Sequence, residues 1–497
     1  MVRTSLNTCL DKKMLKKPKG FSPSSLLRFS PNLSHKQKLE SDFVALCEFL
    51  GLVRTSLNTC LYTRKTKKPR VLEKEDSLSN LPNDLLCLIL SKLSTKDSVC
   101  TSVLSKRWRN LWLQVPVLNL DFDDFGPDEF DFLQFLDRFL QSNSELNIER
   151  FNLIYDVDDH FQDDFLWRIN QVIKRRVCHL TVLNQLNVEE EDLVSMPLSL
   201  YTCATLVSLT LYCVAMDDDI LRGNPAEKLV SLPCLKTMYL EGVIFDGSSI
   251  LTTLISRCFV LEDLTLIIHL VDYLEKVNVC SQSLKSFKFH SLRREFEDDD
   301  SDAEIYDPEN LFNSPDIVIN APRLEYMSIS GYQPKSFEIL SVGPFAKLNV
   351  DVWFYLKNND TMIHNFLIGI STVCEMIISA RSLKFIHKYS KMKPMEPLPQ
   401  FSNLSRLDAS LLESSWEFLP TFLGCCLKLR SLSMELDRLP EIEEIELSPV
   451  PQCVLSSLEF VKLKTATIAD TPRKRELVRR FLMKNCAVLK KLILSEP

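Results

Sequence analysis

One apolar template, Φ-x-x-Φ-x-Φ, returns along most of this chain. Its first positions are Ile148, Val177, Leu206, Leu235, Leu261, Leu284, Leu324, Phe345, Val373, Leu404, Leu429, Leu458 and Leu489. The first three intervals are each 29 residues and most others lie between 21 and 31. In a chain that is 45% hydrophobic, single windows such as Phe345 or Val373 are cheap matches. The even spacing carries the weight, because a fixed period of this length means stacked supersecondary units rather than one central core.

Inside Leu206-Val-Ser-Leu209-Thr-Leu211 the apolar residues alternate as in a short strand, with Ser208, Thr210 and Tyr212 turned the other way. A unit of this size cannot bury its own apolar face, so neighbours must close it. The period is that of leucine-rich repeats and predicts an α/β solenoid: a parallel strand ribbon with helices, whose open strand face is an extended binding surface. Alternation selects Thr210, Tyr212, Tyr239, Lys288, His290, Tyr326 and Lys462 as target-binding candidates. The residue after the strand is Cys213 in one unit and Gly242 in the next, which predicts an irregular array. The long interval from Leu284 to Leu324 contains Glu295 to Glu309, with nine acidic residues, and reads as a solvated loop inserted into one repeat. A second acidic stretch, Asp121 to Asp131, is interleaved with Phe122, Phe125 and Phe130 and reads as a capping linker.

Upstream lies a different pattern, LPNDLLCLILSKLSTKDSVCTSVLSKRWRNLWL, from Leu81 to Leu113. Pro82 and Asp84 suit a helix start. Leu85, Leu86, Ile89, Leu90 and Leu93 form one apolar stripe, expected to be buried. A second stretch carries Val99 and Val103. A third helix is expected after Ser105, a good N-cap, with Trp108, Leu111 and Trp112 at helical spacing. A block of about 40 residues buries too little surface to stand without a staple or a partner.

Leu81-Pro82, Leu85, Ile89-Leu90, Lys96-Asp97, Thr101 to Ser105, Lys106-Arg-Trp108 and Leu111-Trp112 resemble the F-box of a large plant family. Near the end, Val450 to Phe460, Glu476 to Leu482 and Cys486 to Leu492 resemble the FBD domain of plant F-box/leucine-rich-repeat proteins. There a helix would set Leu477, Phe481 and Leu482 inward and leave Arg479 and Arg480 in water. The resemblance covers about residues 76–497 and implies a three-helix F-box at 76–121, a leucine-rich-repeat solenoid at 122–449 with the acidic loop 295–309, and an FBD cap at 450–497; residues 1–75 are set apart by composition as a basic N-terminal extension. It also implies docking on the Skp-type adaptor of an SCF ubiquitin ligase, and through it on cullin and RING subunits. Leu81, Pro82, Leu85, Ile89, Leu93, Val103, Leu104, Trp108 and Trp112 are the adaptor-binding candidates. One departure is Leu93-Ser94 where the family commonly has Leu-Pro, which predicts a less rigid turn.

Residues 1–70 hold 15 Lys/Arg against 4 Asp/Glu, a net of +11; with −7 for the whole chain, −18 is left for the rest. The basic part reads as disordered. Its segments Val2 to Leu10 and Val53 to Leu61 are identical, which suggests a duplicated exon or misjoined gene model. Lys12 to Lys19 and Arg64 to Arg70 are basic clusters that could act in nuclear import. They lack interleaved aromatics, which argues against specific nucleic-acid recognition. No apolar run of 18 residues and no signal peptide are found, so no membrane association is expected and the location is nucleus and/or cytoplasm. Sixteen cysteines without a C-x-x-C pair, among them Cys203, Cys213, Cys234 and Cys258 inside apolar repeats, read as reduced core thiols rather than disulfides or a metal site.

Phosphate-cradling glycine loops, G-x-S-x-G and H-E-x-x-H are missing, so no cofactor is expected. Cys178-His179 could suggest a nucleophile and base, but neighbours on a strand point to opposite faces. The chain therefore reads as a non-catalytic substrate receptor that holds an unknown protein target. The alternative is a solenoid scaffold whose F-box recruits no ligase.

Overall fold

The computed structural model describes residues 81–125, 129–142, 146–155, 162–184, 193–216, 230–245, 249–269, 274–292, 315–332, 334–353, 360–393, 397–412, 417–436, 450–465 and 472–495. The duplicated segments, both basic clusters and the acidic loop Glu295 to Glu309 lie outside the described residues, as do positions 126–128 of the linker and the side chains of Leu477 and Phe481. The chain divides into two compact units, one up to Leu118 and one from Asn119 onward.

In the first unit, Pro82 stands at the N-cap of the helix Asn83–Leu90, where its missing N–H costs nothing, and Asp84 complements the first turn. The stripe is only partly buried: Leu86, Ile89 and Leu90 enter the core, whereas Leu85 is 39% exposed. Leu85 lies beside Leu86 on the helix, about 100° round it, and that rotation takes it off the buried face. Ser94 does not loosen the following turn. Its Oγ accepts the Asp97 N–H at 3.1 Å and caps the helix Thr95–Cys100, doing by side chain what a proline would do by ring constraint.

After Ser105 the expected third helix is replaced by two short 3₁₀ turns, Trp108–Asn110 and Trp112–Gln114. Arg107, not Ser105, occupies the cap position of the first. Trp108 and Leu111 are three apart, and residues i and i+3 eclipse in a 3₁₀ turn, so both reach one core. That core is Leu86, Ile89, Leu90, Trp108, Leu111 and Val115. Arg107 ties the ends together by donating to Asn83 Oδ1 at 2.9 and 2.7 Å and to the Leu81 carbonyl.

The strands are β1 (Val117–Asp121), whose first two residues belong to the first unit, and, in the second unit, β2 (Arg150–Tyr155), β3 (His179–Asn184), β4 (Ser208–Tyr212), β5 (Ala215–Met216), β6 (Thr237–Glu241), β7 (Ile244–Phe245), β8 (Asp263–His269), β9 (Lys276–Cys280), β10 (Ser286–Leu292), β11 (Asp316–Ala321), β12 (Tyr326–Tyr332), β13 (Ser336–Val342), β14 (Lys347–Trp353), β15 (Glu375–Ile378), β16 (Arg406–Leu411), β17 (Ser431–Leu436), β18 (Phe460–Thr465) and β19 (Lys491–Ser495). Fourteen of them form one sheet in the order β1-β2-β3-β4-β6-β8-β10-β12-β14-β15-β16-β17-β18-β19. From β2 onward the neighbours run parallel. This is the leucine-rich-repeat solenoid that the period predicts.

The template maps onto a repeated backbone device. Its first residue closes a tight turn, as in Leu206 N–H to Cys203 O, Leu261 to Cys258 and Leu429 to Cys426, at 3.0–3.4 Å. The next two N–H groups then share one carbonyl of the preceding repeat: Val207 and Ser208 both donate to Cys178 O, and Lys236 and Thr237 to Val207 O. The second and third apolar positions, such as Leu209 and Leu211, are fully buried.

Phe345 breaks the template. It is 83% exposed, and Ala346, 2% exposed, takes the buried place with its N–H on Gly343 O. The turn closes over the same three residues as elsewhere, but the first buried strand position, Leu348, follows Ala346 by two residues where Leu209 follows Leu206 by three, so the buried place slides forward to a side chain small enough to fit. The residue after the strand is regular in conformation although not in identity. Cys213 and Gly242 have φ of 49° and 57°, and their N–H groups reach Glu241 O and Ile267 O on the next strand. What this position requires is a left-handed turn, which neither side chain announces.

Behind the sheet, β13-β11-β9 and β5-β7 form smaller parallel layers. The interval from Leu284 to Leu324 thus carries a strand, β11, as well as the acidic segment. Helices back the other repeats: Ser249–Arg257 buries Ile250, Leu251, Leu254 and Ile255, and Ser382 of the helix Ala380–Met392 bonds both the N–H and the carbonyl of Val352 on β14. Buried Arg168, from the helix Gln162–Lys174, forks onto Asp137 of the helix Glu129–Ser142 at 2.7 and 2.9 Å. In the helix Pro472–Asn485, Leu482 is buried while Arg479 and Arg480 are exposed and pair with Glu476. Of the four cysteines read as core thiols, Cys203 and Cys258 are buried, Cys213 is half-buried and Cys234 is exposed, because it sits on the turn before Leu235 rather than on the inward face.

Candidate functional site

Two surfaces come out of this architecture. In the helical module, Ile89 and Trp108 sit in the core at 3% exposure each. Leu81, Leu93 and Leu104 pack half-buried against that core, and Trp112 is half-buried. Pro82 and Leu85 are open to solvent, as is Val103 at 59%. Leu88, 47% exposed and one turn along from Leu85, was missed by the sequence reading; its signal is the i, i+3 spacing to Leu85 on the side away from Leu86 and Leu90.

The second surface is the open face of the sheet, where register assembles rows that sequence distance hides. One row runs Thr210, Tyr239, Thr265, Lys288, Ser328 and Asn349 on adjacent strands, and continues through Asp408 and Ser433 to Lys462. A parallel row runs Tyr212, Glu241, Ile267, His290, Ser330 and Asp351. Tyr326 stands in a third, between Ser286 and Lys347. All seven strand candidates therefore share one face; Lys288 and Lys462 are exposed and the other five half-buried.

Local chemistry on this face is set by burial. The Tyr239 hydroxyl donates to Glu241, whose carboxyl is pushed up by burial against that hydrogen bond. His290 Nδ1 lies 2.5 Å from Ser330 Oγ, and burial lowers its pKa in spite of Asp351, so the ring is neutral at pH 7. At the strand ends Arg381 stacks over Trp353 at 3.9 Å and stands 3.9 Å from Asp351. Trp353 was legible by alternation from Lys347. Arg381 was not, since it comes from a helix.

Cys178 and His179 form no catalytic pair. Cys178 lies on the bend before β3, its thiol is raised by burial and Glu149, and its Sγ points to Arg176 O at 3.7 Å. Among the described residues no group of three or more His, Cys, Asp or Glu is placed to hold a metal ion, and no helix is long and apolar enough to cross a membrane.

Toward the C-terminal end the open face has a depression of about 540 Å³. Arg406, Arg430 and Lys462 surround it together with the carboxylates of Asp408 and Glu459, and Ser431, Ser433 and the Phe460 ring complete its lining.

A small helical module followed by a parallel-stranded repeat array defines an F-box/leucine-rich-repeat protein. Comparison with known proteins agrees segment by segment: the F-box domain matches residues 78–120, the LRR repeats of FBD-associated F-box protein At5g56370 match 169–342, and FBD matches 445–494. F-box/FBD/LRR-repeat protein At1g80470 of Arabidopsis thaliana is 50% identical over 86% of this chain and 88% of its own length. FBD-associated F-box protein At1g60410 of the same plant is 51% identical over 85% and 98%. F-box/LRR-repeat protein 13 is 39% identical over 85% and 90%. The chain belongs to the plant F-box/FBD/LRR-repeat family.

Proposed function

We propose that this chain is the substrate-receptor subunit of an SCF-type ubiquitin ligase. Its F-box would hold the Skp-type adaptor, and through it cullin and RING subunits, while the open face of the repeats receives a protein target. The observation that carries this reading is an F-box with apolar Leu85, Leu88 and Val103 left exposed, joined to a sheet with a long polar face. The chain itself performs no chemistry in this account. It raises the effective concentration of target lysines near the charged enzyme. Ser94 caps a helix and so lends no support to a scaffold that fails to recruit a ligase. The site of action is the nucleus and/or cytoplasm; a reporter fused to residues 1–75 that stays cytosolic removes import by the basic clusters.

The test is co-purification of the full chain with a plant Skp-type adaptor. Leu85, Leu88 and Val103 changed together to Ala should lose the adaptor while keeping the parent melting temperature. Retention of the adaptor by that variant overturns the docking face, and absence of adaptor from the parent overturns the receptor reading.

A further inference from the structure

The open face is chemically uneven. On β3, β4, β6 and β8 its first two rows carry His179, Ser208, Thr237 and Asp263, then Thr181, Thr210, Tyr239 and Thr265, with one formal charge among them. On β16 to β19 the same rows carry Arg406, Asp408, Lys462 and Lys491, and Arg430 joins them from the turn before β17.

The charges there are unequally spoken for. Glu375 takes Arg406 at 3.3 Å, and Lys490 takes Glu459 at 2.6 Å. Arg430 is left to share Glu459 with Lys490, since both cations hold that carboxyl below its ordinary range. Lys462 is exposed and has no ion-pair partner among the described residues. Lys491 adds a further ammonium, 6.0 Å from the Phe460 ring centre. Asp408, without an ion-pair partner among the described residues, offsets one of these cations, which leaves a net positive charge beside the Phe460 ring, with the Ser431 and Ser433 hydroxyls as donors.

We infer that this depression binds an acidic peptide segment of the target protein, which rests on the reading of the open face as the target surface. Carboxylates of the segment meet Lys462 and Arg430 and an apolar side chain lies on Phe460, while Asp408 accepts from the segment's backbone N–H groups. Charge complementarity selects this occupant. A nucleic-acid backbone fits worse, because Asp408, Glu435 and Glu459 stand among the cations and repel a regular line of phosphates, whereas a peptide can place its carboxylates at the cations and its backbone N–H groups at these acids.

The experiment uses the full chain purified with its adaptor, and a fluorescent twelve-residue peptide of alternating Asp/Glu and small apolar residues, followed by anisotropy. The peptide should bind, more weakly at high salt, and K462E with R430E should weaken it at least about tenfold, while K276E, at an exposed position on β9 of the smaller layer, leaves it unchanged. Both charge reversals lie at the surface, and an unchanged melting temperature shows that folding is intact. Failure of the parent to bind the peptide, equal binding of a Lys/Arg peptide, or no effect of K462E with R430E overturns the inference. Adaptor co-purification is scored separately, so loss of the receptor reading is distinguishable from loss of this site.

Discussion

Gly331 on β12 faces the backbone of Ser291 on β10 so closely that a Cβ at position 331 would stand 1.9 Å from the Ser291 carbonyl oxygen. Its φ is +87°. Both facts demand glycine, one through space and one through conformation. G331A should lower stability by about 2 kcal/mol or more, from the left-handed penalty plus backbone displacement. G424A is the control: nothing lies within 4 Å of its Cβ position at the end of the helix Leu419–Gly424, and the change should be neutral or mildly stabilising. Urea midpoints of the two variants check this.

Core and surface separate cleanly in the F-box. W108A removes a side chain 3% exposed and should cost about 3–5 kcal/mol, whereas V103A, at 59% exposure, should stay within about 0.5 kcal/mol. S94A should cost about 1 kcal/mol through the lost cap. Thermal melts of the three variants would settle the ranking, and a variant that includes Trp108 is unsuitable for testing adaptor docking.

Arg168 is 4% exposed and its fork onto Asp137 neutralises it. D137A leaves that guanidinium buried without its main partner, and should destabilise by about 3 kcal/mol. R168M, which removes the charge and keeps the volume, should cost less. If D137A proves the milder of the two in denaturant titrations, the pair is not what holds the two helices together.

Burial pushes the Cys258 thiol up to about 12 and those of Cys453 and Cys486 up to about 11, from an ordinary 9.0; Cys426 is raised too. Unfolded thiols ionise near 9, but the folded ones keep their protons. The stability this contributes is complete below pH 9 and is lost as pH climbs from 9 through 11 to 12. Urea midpoints under reducing conditions should therefore fall above pH 9. At pH 8 iodoacetamide should label exposed Cys234 and Cys280 well before Cys258 and Cys426, read by mass spectrometry.

Much of the fold was legible because one repeat speaks many times. The intervals from Ile148 through Leu206 place β2 to β4, and alternation puts Thr210, Tyr239, Lys288 and Lys462 on one face. The reading failed where one local rule competed with another. Phe345 satisfied the apolar template, yet the shorter step from turn to strand gave its place to Ala346. Cys213 and Gly242 looked unrelated because a left-handed φ is a backbone property. Trp108 and Leu111 suited an α-helix as well as the 3₁₀ turn they adopt.

By itself the amino-acid sequence determined the period, the strand face on which each side chain falls, and the F-box and FBD segments, since all of these follow from local spacing. Only the tertiary structure decided which strands are neighbours, and so which distant residues share a row, such as Asp408, Ser433 and Lys462. It also decided which leucines of an apolar stripe are left outside. Register and burial are set by packing against residues far away in the chain, and local periodicity carries no record of them.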